Sequence, residues 1–127
     1  TSSVGKSGDL QAAPGESIAV RLRWQVADPP PGAADLHLFV HLGDPTQAPL
    51  AQRDGPVMGG QYPPRLWATG EVFDETAVLA LPAGLPPGDY PVQIGLYDFA
   101  TGARLPVTAG GQHVPSDTVP VGVLRVR

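Results

Sequence analysis

The side chains able to do chemistry are few in this chain and lie far apart. His37 and His41 sit four residues apart in one alternating stretch, and His113 lies in a remote loop. Four residues of extended chain separate two Cα atoms by roughly 13 Å at ~3.3 Å per residue. His37 and His41 therefore cannot chelate one ion as a local pair, and zinc is not expected. Calcium needs several oxygen ligands. Asp44, Asp54, Asp74 and Asp98, together with Glu71 and Glu75, fall at strand ends or bends from which carboxylates could converge. No D-x-D-x-D-G loop organises them, and Asp in such places more often closes a turn through a local hydrogen bond. They stand as calcium candidates and nothing more; no cofactor is expected.

Covalent catalysis has even less support. There is no Cys and no G-x-S-x-G elbow. The string HVPSD, residues 113–117, holds a His, a Ser and an Asp, but triads are assembled from separate elements rather than within one loop. Paired carboxylates for glycoside hydrolysis need a cleft at a set separation, and nothing in the spacing points to one. The domain is read as non-enzymatic.

Recognition is left. The stretch GGQYPPRLWATGE, residues 59–71, carries Tyr62, Arg65, Trp67 and Glu71, and Gln52 and Asp54 just precede it. Aromatic rings with apolar faces beside planar polar groups suit an amphipathic ligand such as a sugar. The competing reading is a plug, in which Trp67 and Tyr62 fold over the open end of the core. Aromatic residues make up only 6% of the chain, which favours the plug. The two readings differ in burial: a platform leaves both rings exposed, a plug buries them.

These residues need elements to hold them, and the periodicity is that of strands. In 16–26, ESIAVRLRWQV, Ile18, Val20, Leu22, Trp24 and Val26 share one face, while Arg21, Arg23 and Gln25 share the other. A period of two marks a half-buried strand, so Trp24 is core. Residues 35–43 alternate likewise, with Leu36, Leu38, Val40 and Leu42 on one face and His37, Phe39 and His41 on the other. Phe39 and His41 point away from the core, toward a second packing layer expected beneath the 59–71 loop. Further strands are expected at 50–54, at 71–81 with a bend near Asp74-Glu75, at 90–98, at 103–108 after a Thr101-Gly102 turn, and at 118–126. Another is expected near 9–13. No helical periodicity survives, and prolines interrupt most windows.

Composition agrees. The chain has 127 residues, 42% of them apolar, with 16 Gly and 16 Pro. That is one domain's worth of core broken by frequent turns. The fold expected is all-β: a single immunoglobulin- or fibronectin-like antiparallel β-sandwich of about seven to nine strands. It spans 9–127, with 1–8 (TSSVGKSG) as a linker-like lead. LPPGDY, residues 85–90, reads as the corner before a late strand, with the Tyr90 hydroxyl bonded back to upstream backbone. The net charge is −4 with 8 basic residues, which argues against a nucleic-acid partner. No apolar run approaches the ~20 residues a bilayer span needs, so no direct membrane insertion is expected. No signal peptide opens the chain, and the polar start suggests a domain cut from a longer protein. Abundant Pro lowers unfolded-state entropy and predicts thermostability.

Several motif pieces occur in order: F-V-H-L-x-D at 39–44, A-Q-x-D-x-P at 51–56, W-x-x-G-E at 67–71, P-P-G-x-Y at 86–90, G-L-Y-D at 95–98 and T-G-x-R-L at 101–105. Over roughly 36–108 the chain resembles small β-sandwich domains of bacterial multi-pass membrane proteins. Those are described as glycosyltransferase-like, of the protein-mannosyltransferase type, or as hypothetical. The resemblance implies a domain that follows transmembrane helices and lies outside the cytoplasm; it supplies no catalytic residue. The expected function is a non-catalytic, extracytoplasmic accessory domain that binds carbohydrate or the rest of its parent protein. The alternative is a structural or protein–protein interaction module with no small-molecule ligand.

Overall fold

A computed structural model describes residues 2–4, 10–27, 35–62 and 64–127. Strand β1 is Ser2–Val4, β2 Leu10–Ala12, β3 Ser17–Val26, β4 Leu36–Leu42, β5 Ala51–Pro56 and β6 Val72–Ala80. Then come β7 Gly88–Asp98, the two-residue strands β8 Thr108–Ala109 and β9 Gln112–His113, and β10 Val119–Val126. The protein is an all-β sandwich. One sheet has the order β1-β3-β6 and the other β2-β10-β7-β4-β5, with β8 and β9 forming a small separate hairpin.

The alternation seen in the sequence decides which face is which. Along β3 every second residue from Ile18 to Val26 is buried and the intervening ones are exposed. Ala77 and Leu79 of β6 complete that inner face, and Leu36, Leu38, Val40 and Leu42 of β4 meet it with Val92, Ile94 and Leu96 of β7. Fully burying a Val, Leu or Ile side chain contributes about 1.5–3 kcal/mol, so this shared layer dominates the stability of the domain. The Tyr90 hydroxyl donates to the Pro86 carbonyl at 2.6 Å, closing the corner ahead of β7.

Several expectations need correction. Ser2–Val4 lies in the span read as linker, yet it pairs antiparallel with Trp24–Val26. A sheet edge offers unpaired backbone groups to any extended segment, whatever its side chains. Strand β6 has no bend at Asp74-Glu75: its register on β3 runs without a shift from Ser17↔Ala80 to Gln25↔Val72. The expected strand at 103–108 does not form: 103–107 make one isolated bridge, Tyr97↔Arg104, and Thr108 opens the two-residue β8. The bulge comes instead in β10, between Pro120 and Gly122. Pro120 cannot donate to the ladder, and the extra residue, Val121, turns into the core.

Strand β7 is buried on both faces from Val92 to Leu96, so a second layer does cover it. That layer is the 104–118 excursion, not the 59–71 loop. The Arg104 guanidinium lies 4.5 Å over the Phe39 ring and donates to the Ser116 carbonyl. Asp117 accepts from the Val107 amide and meets His113 Nε2 at 2.7 Å. Gly95 makes this possible. A Cβ there would overlap the Phe39 ring and come within 2.9 Å of the Asp117 carbonyl oxygen.

Candidate functional site

The structure splits the residues expected to bind ligand into two groups. Tyr62, Trp67 and Glu71 bond to one another and to the core. Trp67 is 6% exposed, its ring is 5.2 Å from that of Phe73, and its Nε1 donates to the Tyr62 carbonyl at 3.1 Å. The half-buried Tyr62 ring stands edge-on to Phe73 at 5.5 Å. The Tyr62 hydroxyl donates to Glu71 Oε2, while Glu71 Oε1 accepts from the Ala68 amide. The bond to Glu71, then burial, raise the Tyr62 pKa. The loop end also extends the β3 ladder through Gly70 N to Val26 O at 2.6 Å and Val26 N to Glu71 O at 2.9 Å. The stretch is packed as a plug. Arg65 lies on the short 3-10 turn Pro64–Leu66, and its side chain falls outside the described residues.

Gln52 and Asp54 go elsewhere. They project from β5 on the outer side of the five-stranded sheet, opposite His41 and Phe39 respectively. There they join side chains from three other segments. Phe39 and His41 of β4 have ring centroids 4.5 Å apart, and Phe39 and Tyr97 of β7 are 6.3 Å apart. His37 stacks on Phe99 at 4.3 Å and 17°, tilts against Tyr97 at 5.6 Å and reaches Asp35 through Nε2 at 3.4 Å. Arg104 closes the side nearest β7.

Electrostatics bind this group together. Burial, with Arg104 adding to it, lowers the His41 pKa against the opposing pull of Asp54, so the imidazole is neutral at pH 7. Burial, then the charge and hydrogen bond of Asp54, then Asp35, raise the Tyr97 pKa. Asp54 thus faces both His41 and Tyr97. Four of the sequence pieces, those containing His41, Asp54, Tyr97 and Arg104, meet on one face although they are spread over 39–105.

The calcium candidates do not meet. Asp44 Oδ1 accepts from the Thr46 amide and hydroxyl at 2.8 and 2.7 Å, and these bonds lower its pKa. Asp74 pairs with Arg23 at 2.9 Å on the exposed face of the other sheet. Asp98 accepts from the Ala100 amide at 2.9 Å in the β7 turn. Among the described residues no group of three or more His, Asp or Glu could hold a metal ion. In the 113–117 loop, His113 and Asp117 do meet, but Ser116 turns to the Thr118 hydroxyl at 2.6 Å, so no nucleophile–base pair forms there.

One residue sequence reasoning misplaced is Glu75. It is 7% exposed and points inward. Its Oε1 accepts from Trp24 Nε1 at 3.2 Å and its Oε2 from the Met58 amide at 2.8 Å. The alternation offered the signal, since Glu75 shares parity with Ala77 and Leu79; its charge argued the other way.

A scan of protein-family models and a search of curated proteins found nothing that matches this chain.

Proposed function

We propose that this chain is a non-catalytic, extracytoplasmic accessory domain of a membrane protein, and that it recognises through its β5-β4-β7 face rather than through the 59–71 loop. The location and the membrane parent rest on the motif pieces between 39 and 105. The recognition surface rests on one observation: Trp67, Tyr62 and Glu71 are consumed by bonds within the plug, whereas aromatic and hydrogen-bonding groups from β4, β5, β7 and the 99–104 turn gather on the outer sheet face. A surface built on strands holds its groups more rigidly than a loop does.

The second reading is a protein-contact module with no small ligand. It draws on Val72 and Val78, 52% and 54% exposed on the outer side of the edge strand β6, where a partner strand or apolar surface could be received.

Iodide quenching of tryptophan fluorescence tests the choice of face, on the native chain and on Trp67→Phe, with and without soluble oligosaccharides. Both tryptophans of the native chain, and Trp24 alone in Trp67→Phe, should be shielded with and without sugar. Quenching of Trp67 that an oligosaccharide relieves would return recognition to the loop and overturn this reading.

A further inference from the structure

The β5-β4-β7 face has a floor, a wall and a rim. Phe39 forms the floor and is buried beneath the Arg104 guanidinium. The 104–118 excursion forms the wall. The rim carries His41, Asp54, Gln52 and Tyr97, and beyond Tyr97 the stacked pair His37–Phe99. Phe99 is 59% exposed although large and apolar. It is held flat on His37, so one ring face is fixed and the other is open.

The charges narrow what could bind. Asp54 and Asp35 oppose a phosphate or carboxylate ligand approaching from the rim. A cationic ligand would seek the open face of Phe99, but the positive charge of Arg104 over the neighbouring Phe39 opposes a second cation on this face. His41 adds no charge at neutral pH. What the face does offer is matched to a neutral polar molecule. Asp54 accepts hydrogen bonds, and Gln52 both donates and accepts. Arg104 spends one N–H on Ser116 and has further donors on the same fork. The open ring of Phe99 suits a flat array of C–H groups. A ligand with vicinal hydroxyls on an apolar ring has this character.

We propose that the outer face of β5, β4 and β7 binds a neutral pyranose unit of an oligosaccharide, with Phe99 stacked under the sugar ring and Asp54 and Arg104 bonding adjacent hydroxyls. This rests on the reading that recognition occurs on this face. The site is one of positioning and binding, and no bond is made or broken there.

The test is amide-resolved NMR titration of the 127-residue chain. The probes are mannotriose, cellotriose and N,N′-diacetylchitobiose, with sodium phosphate and choline chloride as charged comparisons. At least one neutral oligosaccharide should give saturable shifts at His41, Asp54, Gly95, Tyr97 and Phe99, with a dissociation constant of order 1 mM. Asp54→Asn and Arg104→Gln should each weaken that binding about tenfold, the worth of one charge-assisted hydrogen bond. Phe99→Ala, which changes an exposed ring and leaves the core intact, should weaken it likewise while the rest of the spectrum is retained. The proposal fails if none of the three oligosaccharides gives saturable shifts at about 10 mM, if the variants bind as the native chain does, or if phosphate or choline alone binds. Shifts confined to residues 59–71 would overturn both this proposal and the choice of face. Silence from the sugars with Trp67 shielded from iodide would overturn the ligand class alone.

Discussion

The buried carboxylate of Glu75 holds the backbone N–H of Met58 at 2.8 Å, and Met58 is the one residue of its turn that is not glycine yet has a left-handed backbone, with φ 56°. Gly59 and Gly60 follow at φ 63° and 82°. A left-handed Met costs on the order of 1 kcal/mol or more. The hydrogen bond to Glu75 offsets that cost, and the same carboxylate fixes the indole of Trp24. One side chain on β6 therefore anchors both the core Trp and the start of the plug.

Replacing Glu75 with Gln keeps the shape but turns one acceptor into a donor facing a donor. Either Trp24 Nε1 or the Met58 amide loses its partner. The expected cost is about 1–3 kcal/mol, read as a lower urea midpoint with an unchanged slope. A stability equal to that of the native chain would mean the carboxylate does not anchor the turn.

Trp67→Ala should be among the most damaging single changes in the plug. It empties the space against Phe73 and leaves the Tyr62 carbonyl unpaired, for roughly 3–5 kcal/mol in total. Chemical denaturation checks the magnitude. A loss below about 1 kcal/mol would show that the loop is dispensable to the core.

Gly95→Ala should be costly at a position where no side chain is otherwise seen. The added methyl overlaps Phe39 and crowds the Asp117 carbonyl. Overpacking of this kind costs about 1–3 kcal/mol. Amide exchange at 104–118 should quicken as the excursion lifts from β7. Unchanged exchange there would separate the excursion from the Phe39 floor.

Tyr90→Phe removes only the hydroxyl bonded to Pro86. The expected loss is about 1 kcal/mol. No loss in thermal or urea unfolding would show that the corner does not rest on this bond.

Acid should act on the domain in two windows. His41 has a folded pKa below its unfolded value of about 6.5, because burial and Arg104 disfavour the charged ring. The unfolded chain therefore binds the proton more readily, and stability present above that pH is lost as pH falls through it toward the folded value. Asp44, Asp74 and Asp117 have folded pKa values lowered by Thr46, by Arg23, and by Val107 with His113, respectively. Their contribution is full above the unfolded value of about 3.9 and is lost as pH falls through the folded ones. Asp44 and Asp74 are solvent-exposed and Asp117 is partly so, so the second effect should be small. His41→Gln should flatten stability between pH 7 and pH 5, near the ordinary His value, while leaving the lower window unchanged. An unaltered slope would place the upper titration on another group.

The sequence by itself determined the long strands and the inward faces of β3, β4 and β7. Alternation at 18–26 and 36–42 is a local property, since successive residues of an extended chain point to opposite sides. The turn roles of Asp44 and Asp98 were legible for the same reason, because each bonds an amide two residues on. Only the tertiary structure decided three matters. It chose plug over platform for Trp67, which depended on where Phe73 would lie. It turned Glu75 inward, where alternation and charge disagreed and donors from Trp24 and Met58 settled the contest. It also gathered His41, Asp54, Tyr97 and Arg104 onto one face. Strand order and register bring those four together across 39–105, and neither is encoded in the local pattern of any one strand.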